Sequence, residues 1–360
     1  MKILVVKLHA LGDLVIATPA LRRLRDGLSD ARIDLLTTTW CAPAIEGSPF
    51  IDRSIVVSND IFFKPGPDTV IPFMRLVSRL KREKYDAAVI FHKHHLVKLF
   101  VRLVGISKRF HFNGDTGRSS VFLNEMRHCA LTAWELADLA VCELGGVQAE
   151  PPFLEDLRYE WYVTRDEQEL ADRILSESGV DVDGYAVLLP GGGVNPSVRD
   201  TVRRWSVDKF VKLAERVNEE LDLEIVLSGG GDDLEIAEQV EKTSRVKIVN
   251  LCGRLNMRIS AAIMQKARLV ICNDTGPLHV AAAVGVPVVG IFGPTGERMK
   301  LPPGKTTYAA CLDLSCRPCY FGIFKGCIFN KIRCMDELSV DDVMSVVHRA
   351  YNRRSLERET

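Results

Sequence analysis

Short apolar runs alternate along the whole chain with stretches whose apolar residues recur at helical spacing. The apolar runs read as buried strands: ILVVKL (3–8), IDLLTT (33–38), RSIVV (53–57), DAAVIF (86–91), YAVLLP (185–190), LEIVLS (223–228), RLVIC (268–272) and PVVGIF (287–292). Helices are expected over 68–83, 96–104, 207–220, 232–243, 258–266, 277–284 and 339–352. Strands that alternate with helices form parallel sheets covered by helices. The chain is therefore expected to have an α/β fold.

The 360 residues exceed what one hydrophobic core usually supports, which favours two domains. A stretch with paired prolines, 150–167, is the best candidate for a linker. We therefore expect Rossmann-like domains over 1–160 and 161–360, facing each other across a cleft, with a ligand at the carboxyl ends of the strands. The last helix is a candidate to pack back on the first domain.

Charge and hydropathy argue against a nucleic-acid-binding protein and against a membrane-spanning one. Lys and Arg number 47, as do Asp and Glu, so the formal charge is zero and no global field favours nucleic acid. The apolar stretch at the N-terminus is too short for a signal peptide, and no run reaches the ~18 apolar residues of a membrane span. A cytoplasmic protein without a transmembrane segment is expected, with its ten cysteines reduced.

A polar cluster interrupts the apolar segment CNDTGPLHVAAAVGVPVVGIFGPT (272–295) where a strand gives way to a helix. Backbone N–H groups at a helix N-terminus attract anions, and Gly276 lets a ligand approach the backbone closely. Asp274, Thr275 and His279 add polar groups at the same place. The set predicts a phosphate site. The alternative is that Asp274 or Thr275 caps the helix and that His279 is a polar residue whose hydrogen bonds are satisfied within the protein.

Two further glycine clusters follow predicted strands. In PGGGVNPSVRDTVRRW (190–205), Gly191 and Gly192 together with Arg199, Arg203 and Arg204 could hold a diphosphate, although the P-loop pattern is missing. The alternative is a flexible loop with solvated arginines. LSGGGDDLEIAEQV (227–240) lacks the third glycine of a dinucleotide fingerprint. Asp232 or Asp233 could contact a ribose there, or could cap a helix.

The first domain offers one acidic and one basic candidate. Asp13 stands in KLHALGDL (7–14), in a predicted loop before Thr18 and Pro19, which read as the N-cap and first residue of a helix. Asp13 is either a helix cap or a catalytic group. FHKHHLVKLFVRLVGISKRF (91–110) is a basic patch that includes His92, Lys93, Lys98 and Arg102. It either binds an anionic partner or is a solvated helix face.

Metal sites are not expected. The histidines His92, His94 and His95 lack accompanying carboxylates or cysteines at ligand spacing. Five cysteines crowd between Cys311 and Cys334, but only Cys316 and Cys319 form a C-x2-C pair. A four-thiolate site is the alternative to reduced cysteines in a packed loop, which we expect.

Together these segments resemble the ADP-heptose:lipopolysaccharide heptosyltransferase family, glycosyltransferase family 9. The resemblance runs from ILVVKLHALGDLVIATPALRRLR through LPGGG…RRW and LSGGGDD to NDTGPLHVAAAVGVPVVGIFGPT, nearly the whole chain. It implies a GT-B fold of two Rossmann-like domains. The first domain would bind the lipid-linked acceptor and the second the ADP-sugar donor, with no cofactor.

The resemblance also implies roles for single residues. Asp13 falls on the general base. Arg203 falls on a residue that binds the donor phosphates, where Lys is usual, and Asp232 on a ribose contact that is often Glu; both departures keep the charge and change the reach. Leu255 falls where an apolar side chain packs on adenine. The diphosphate site corresponds to Asp274, Thr275, Gly276 and His279.

The implied enzyme is an inverting glycosyltransferase. It would move heptose from ADP-L-glycero-D-manno-heptose to Kdo-bearing lipid A, in the inner core of lipopolysaccharide, at the inner face of the cytoplasmic membrane. His92, Lys93, Lys98 and Arg102 would meet the charge of the acceptor. The alternatives are a GT-B nucleotide-sugar epimerase, a transferase for another nucleotide sugar, and a nucleotide-sugar sensor without turnover.

Overall fold

The computed structural model describes residues 1–113, 120–122, 126–195, 198–199, 201–321 and 326–358. The chain divides into two compact units, Met1–Glu160 and Trp161–Thr360. Each unit contains a six-stranded parallel sheet with helices between the strands, which confirms the α/β prediction. No helix within the described ranges is long and apolar enough to cross a lipid bilayer.

Unit 1 is built around six parallel strands in the order β3-β2-β1-β4-β5-β6. Its strands are β1 (Lys2–Val6), β2 (Arg32–Thr38), β3 (Arg53–Val57), β4 (Ala87–Ile90), β5 (Lys108–Asn113) and β6 (Ser120–Phe122). Its α-helices are α1 (Leu11–Ile16), α2 (Thr18–Gly27), α3 (Asp60–Phe63), α4 (Pro67–Glu83), α5 (His95–Val104) and α6 (Cys129–Glu143). The central strands β1 and β4 are buried on both faces, which explains their continuous apolar sequences.

Unit 2 repeats this plan with the strand order β11-β10-β7-β12-β13-β14. Its strands are β7 (Tyr185–Leu189), β8 (Val194–Asn195), β9 (Val198–Arg199), β10 (Glu224–Leu227), β11 (Ile248–Asn250), β12 (Leu269–Asn273), β13 (Val288–Ile291) and β14 (Thr307–Ala310). Its α-helices are α7 (Arg165–Glu177), α8 (Val207–Leu221), α9 (Leu234–Thr243), α10 (Met257–Lys266), α11 (Gly276–Ala283), α12 (Glu297–Lys300), α13 (Arg333–Asp336) and α14 (Val340–Arg358). The short strands β8 and β9 pair with each other outside the main sheet. The last helix, α14, packs on α8, β13 and β14.

Two local predictions in unit 1 are wrong. Asp13 lies in the first turn of the short helix α1 rather than in a loop. Helix α2 begins at Thr18 with Ala17 as its N-cap, and the Thr18 hydroxyl donates to the carbonyl of Val15 at 2.7 Å instead of capping α2. A chain that turns from one helix directly into the next leaves no loop between them, and the hydroxyl bonds back to the preceding helix.

Both sheets have the same switch in strand order. In unit 1 the chain builds outward from β1 to β3 and then returns to place β4 on the other side of β1. In unit 2 it builds outward from β7 to β11 and returns to place β12 beside β7. In open parallel sheets, ligands bind beyond the carboxyl ends of the strands at this switch. The fold therefore directs attention to the loops after β1 and β4 and the loops after β7 and β12.

Candidate functional site

The loop and helix after β1 place Asp13 at the switch of unit 1. The Lys7 ammonium lies 3.3 Å from Oδ2 of Asp13. Only 9% of the Lys7 side chain is exposed, whereas 44% of the Asp13 side chain is exposed. A buried cation thus fixes one oxygen of a carboxylate that remains accessible from outside. That arrangement suits a group that takes a proton from a bound substrate.

His92 lies at the same switch, just after β4, and its ring serves as a hydrogen-bond acceptor. Its Nε2 accepts a hydrogen bond of 2.6 Å from the backbone N–H of Leu8, after β1. Burial, reinforced by the charge of Lys7, lowers the pKa of His92 well below its ordinary value. The ring links the two strand ends, and its lowered pKa counts against the prediction that His92 adds positive charge to the basic patch.

The other members of the basic patch separate into two kinds. Lys98 is half-buried, and its ammonium donates to the carbonyl of Phe112 at 2.6 Å, so that it stabilises the end of β5. Burial also lowers the pKa of Lys98. Lys93 and Arg102 are exposed. Only these two of the four predicted acceptor contacts present an exposed cation.

In unit 2 the side chain of Asn273, at the end of β12, joins three segments of the switch. Its amide nitrogen donates to the carbonyls of Pro190 and Gly191 at 2.9 and 3.0 Å. Its amide oxygen accepts from the backbone N–H of Trp205 at 3.0 Å. Asn273 is fully buried, so all three bonds are shielded from water. Asn273 was not predicted to have a role, although an Asn at the end of an apolar strand could have indicated one.

The N-terminus of α11 and Arg203 meet beside Asn273. Thr275 precedes α11 without capping it, and its hydroxyl donates to the carbonyl of Asn273 instead. The Arg203 guanidinium donates to the carbonyl of Asp274 at 2.6 Å and lies 3.3 Å from its carboxylate. Asp274, Thr275 and His279 are buried, and Gly276 is half-buried. The structure therefore brings together the predicted phosphate residues of two separate segments.

Arg203 has a buried donor that no described residue uses. Its Nε is buried and has no hydrogen-bond partner among the residues that the structure describes. The guanidinium also lies over the Tyr320 ring, 5.4 Å from its centroid. A buried N–H on a cation at the N-terminus of a helix is suited to an anionic oxygen.

The glycine loop after β7 is held by Asp233 rather than Asp232. The Asp233 carboxylate accepts from the backbone N–H of Gly192 at 2.8 Å and of Gly230 at 3.1 Å. Arg204 donates to the carbonyl of Gly192 at 2.6 Å and pairs with Asp233 at 3.4 Å. A Cβ at Gly191 would overlap Asp233. At Gly192, where φ is +107°, it would overlap Thr275.

The remaining donor candidates follow the neighbouring strands. Asp232 is exposed in the turn after β10, and Leu255 is half-buried in the loop after β11. Since the strand order is β11-β10-β7-β12, the predicted contacts succeed one another along one sheet edge as Leu255, Asp232, Gly191 and Gly192, then Asp274 to Gly276. Neighbouring strands are about 4.8 Å apart, so this row spans roughly 14 Å. The side chain of Arg199 lies outside the described residues.

The cysteine-rich segment lies next to this site. Its five cysteines are free thiols, like the other five of the chain, and within the described ranges no three His, Cys, Asp or Glu side chains are grouped to hold a metal ion. Burial raises the pKa of Cys334 to about 11 and raises that of Cys319, so both favour the neutral thiol. The backbone N–H of Tyr320 donates to the carbonyl of Pro294 at 3.1 Å. The segment thereby positions the ring against Arg203.

Comparison with known proteins gives one consistent result. The family model described as glycosyltransferase family 9 (heptosyltransferase) matches residues 73–325. Lipopolysaccharide heptosyltransferase 3 of Escherichia coli K12 is 24% identical over 291 residues, 79% of this chain and 80% of that protein.

Two solved structures show the same fold. The glycosyltransferase family 9 structure from Veillonella parvula is 20% identical, has a TM-score of 0.77 and covers 98% of this chain and 97% of its own. The E. coli ADP-heptose lipopolysaccharide heptosyltransferase II is 17% identical, has a TM-score of 0.74 and covers 99% and 100%. This likeness confirms the predicted GT-B fold class.

Proposed function

Because the chain belongs to glycosyltransferase family 9 and is a glycosyltransferase, we propose that it transfers heptose from ADP-L-glycero-D-manno-heptose to the inner core of lipopolysaccharide, on Kdo-bearing lipid A. The observation that carries the proposal is the row of candidate groups along the carboxyl edge of the unit 2 sheet. Along this edge the groups follow one another in the order apolar side chain, carboxylate, glycine loop, and helix N-terminus with an arginine. An ADP-sugar presents adenine, ribose and diphosphate in that same order.

Each group in the row suits the part of the donor opposite it. Leu255 offers an apolar surface for the flat face of adenine. Asp232 can accept hydrogen bonds from the ribose hydroxyls. The loop of Gly191 and Gly192, held in place by Asp233 and Arg204, would lie beside the phosphates. The N-terminus of α11, with His279 and the buried Nε of Arg203, then meets the negative charge.

The proposed reaction is a single displacement with inversion at the anomeric carbon. The Asp13 carboxylate takes the proton of an acceptor hydroxyl, and that oxygen forms a bond to the anomeric carbon of the heptose. The bond from that carbon to the β-phosphate oxygen breaks, and ADP leaves with the electron pair. Arg203 and the α11 amides stabilise the charge that develops on the leaving phosphate.

Acceptor binding is assigned to unit 1, which contains Asp13. Lys93 and Arg102 are exposed cations that can meet the phosphates and acidic sugars of the acceptor. Such an acceptor is lipid-linked, and we place the enzyme at the inner face of the cytoplasmic membrane as a peripheral protein.

The proposal is tested with the purified full chain and a panel of nucleotide sugars, each incubated with defined lipid A cores that carry Kdo. Mass spectrometry of the lipid products should show the mass of one heptose added only with the ADP-heptose donor. A hexose-bearing lipid product from another nucleotide sugar would correct the donor. Release of free sugar or an epimerised nucleotide sugar, without any lipid product, would contradict the transferase assignment.

A further inference from the structure

Two neighbouring helices of unit 1 expose large apolar side chains. Six such residues on α4 and α5 are each between 49% and 61% exposed: Val70, Ile71, Met74, Leu96, Leu99 and Leu103. Isolated apolar residues on a surface are normal, but a contiguous patch indicates a binding surface. We call these six residues the α4–α5 surface.

The six side chains face the same way. On α5 the exposed leucines recur at intervals of three and four residues, which puts them on one stripe of the helix. On α4 the exposed residues likewise occupy one arc. Both helices bury their opposite arcs, for example Leu80 and Val101, in the same core cluster, and α4 packs on α5. The two exposed arcs therefore form one surface that faces away from the core.

Positive charge surrounds this surface although the chain as a whole is neutral. The segment 87–113 contains no Asp or Glu. Arg102 is exposed beside the leucine stripe, Arg75 and Arg79 are exposed on α4, and Lys93 is exposed just before α5. The one exposed acid of α4, Asp68, lies in its first turn. Lys98 is left out of this set of cations, because its ammonium donates to the carbonyl of Phe112.

We propose that the α4–α5 surface docks on an anionic phospholipid bilayer. The apolar side chains would enter the boundary between headgroups and acyl chains, while the arginines and Lys93 contact lipid phosphates. A second copy of the chain fits less well. A two-fold interface would bring the same cations of both copies together, and like charges oppose such contact. The inference deepens the proposed function, since a lipid-linked acceptor lies in a membrane.

Cosedimentation of the full chain with vesicles tests this, without donor or acceptor. Vesicles contain phosphatidylcholine alone or mixed in equal parts with phosphatidylglycerol. The chain should bind the anionic vesicles, more weakly at high ionic strength, and bind the neutral ones poorly. Leu96→Ser with Leu103→Ser should lower the partition coefficient about tenfold or more. Arg75→Glu with Arg79→Glu should have an effect of about the same size.

Matched controls separate docking from general surface changes. Val147→Ser with Phe153→Ser alters two other exposed apolar residues of unit 1, 83% and 77% exposed. Arg173→Glu with Lys212→Glu reverses two exposed cations of unit 2. Both control pairs should bind vesicles like the parent. The inference is overturned if the parent does not bind anionic vesicles at low ionic strength, or if the controls lose as much binding.

A third result would assign the surface to a second copy of the chain. In that result the parent self-associates in sedimentation velocity experiments, Leu96→Ser with Leu103→Ser abolishes the self-association, and the parent does not bind vesicles. Transfer to acceptor in detergent micelles is measured separately. Vesicle binding without transfer would contradict only the proposed function, and transfer without vesicle binding would contradict only the docking surface.

Discussion

The ammonium of Lys7 is held, almost entirely buried, 3.3 Å from Oδ2 of the accessible Asp13 carboxylate. Lys7 follows β1 directly, and Asp13 stands six residues later in the first turn of α1. A rigid strand end thus fixes the direction of a carboxylate on a short helix. Fixed placement of this kind is what a general base needs, because proton transfer requires hydrogen-bond reach.

Replacing Asp13 with Asn should abolish most turnover while leaving the fold intact. Asn keeps the shape and can still accept one hydrogen bond, but it cannot take a proton near neutral pH. We expect kcat for lipid-product formation to fall about 10²–10⁴-fold. Affinity for ADP should be unchanged, since the donor candidates belong to unit 2. Asp60→Asn is the control, because Asp60 also stands in the first turn of a short helix of unit 1. Turnover of Asp13→Asn within a few-fold of the parent would remove Asp13 from the mechanism.

Gly276→Val should abolish ADP binding. A branched side chain at the first residue of α11 would obstruct an anion that approaches the backbone amides. Isothermal titration calorimetry with ADP measures the effect. Ala283→Val introduces the same side chain at the other end of α11 and should bind ADP normally. Equal affinity in a folded Gly276→Val protein would contradict the phosphate site.

Asn273→Ala should both destabilise unit 2 and weaken ADP binding. Three buried backbone groups, at Pro190, Gly191 and Trp205, would lose their partner. We expect the free energy of unfolding in urea to fall by about 2–4 kcal/mol and ADP affinity to drop with it. Asn218→Ala removes a single bond to the carbonyl of Leu223, far along the chain from the glycine loop. Asn218→Ala should lower the free energy of unfolding somewhat and leave ADP affinity unchanged. If Asn218→Ala weakens ADP binding as much as Asn273→Ala does, Asn273 does not organise the site.

The neutral state of His92 predicts how stability depends on pH. Burial lowers its pKa, so near pH ~6.5 and below the unfolded chain binds a proton that the native chain does not. The stability that His92 contributes is therefore complete above this pH and is lost as the pH falls. In urea unfolding between pH ~5 and ~8, His92→Gln should show a shallower decline at the acid end than the parent. His95→Gln, at an exposed position, should follow the parent curve; a parent-like slope in His92→Gln would show that His92 is not buried as a neutral ring.

Charge reversal at Lys93 and Arg102 tests acceptor binding. Both are exposed, so Lys93→Glu with Arg102→Glu should fold normally and raise the KM for the lipid acceptor several-fold or more at low ionic strength. The KM for the donor should stay constant. Using acceptor in detergent micelles keeps this effect apart from vesicle docking. An unchanged acceptor KM would contradict the assignment of these two cations to acceptor binding.

Most of the α/β plan could be predicted, because strands buried on both faces have continuous apolar sequences. The runs at 3–8 and 86–91 correspond to β1 and β4, the two strands at the switch of unit 1. Edge strands such as β11 and β14 were missed, since they are short and only half-buried. Helix α7 was also missed; only its first turn overlaps the presumed linker, where Thr164 and Glu167 form the capping box that starts it.

Within the site, the sequence indicated the segments but not which side chain performs which task. The glycine-rich loops and the NDTG segment were identified from local chemistry. Sequence alone does not show whether Asp232 or Asp233 holds the glycine loop. Asp233 does so because the loops after β7 and β10 meet in the fold, where its carboxylate accepts from the backbone N–H of Gly192. The same holds for His92. Its neutral state results from the adjacency of β1 and β4, which are more than eighty residues apart.

The three hydrogen bonds of Asn273 have a consequence for engineering the donor preference. This one side chain sets the positions of the 190–191 turn and of Trp205, whereas Leu255 and Asp232 follow other strands and make no bond to it. The part of the edge proposed to bind the base and ribose can therefore be varied without rebuilding the part proposed to bind the diphosphate. A library randomised at Leu255 and Asp232 alone is the economical route to variants that use other nucleotides.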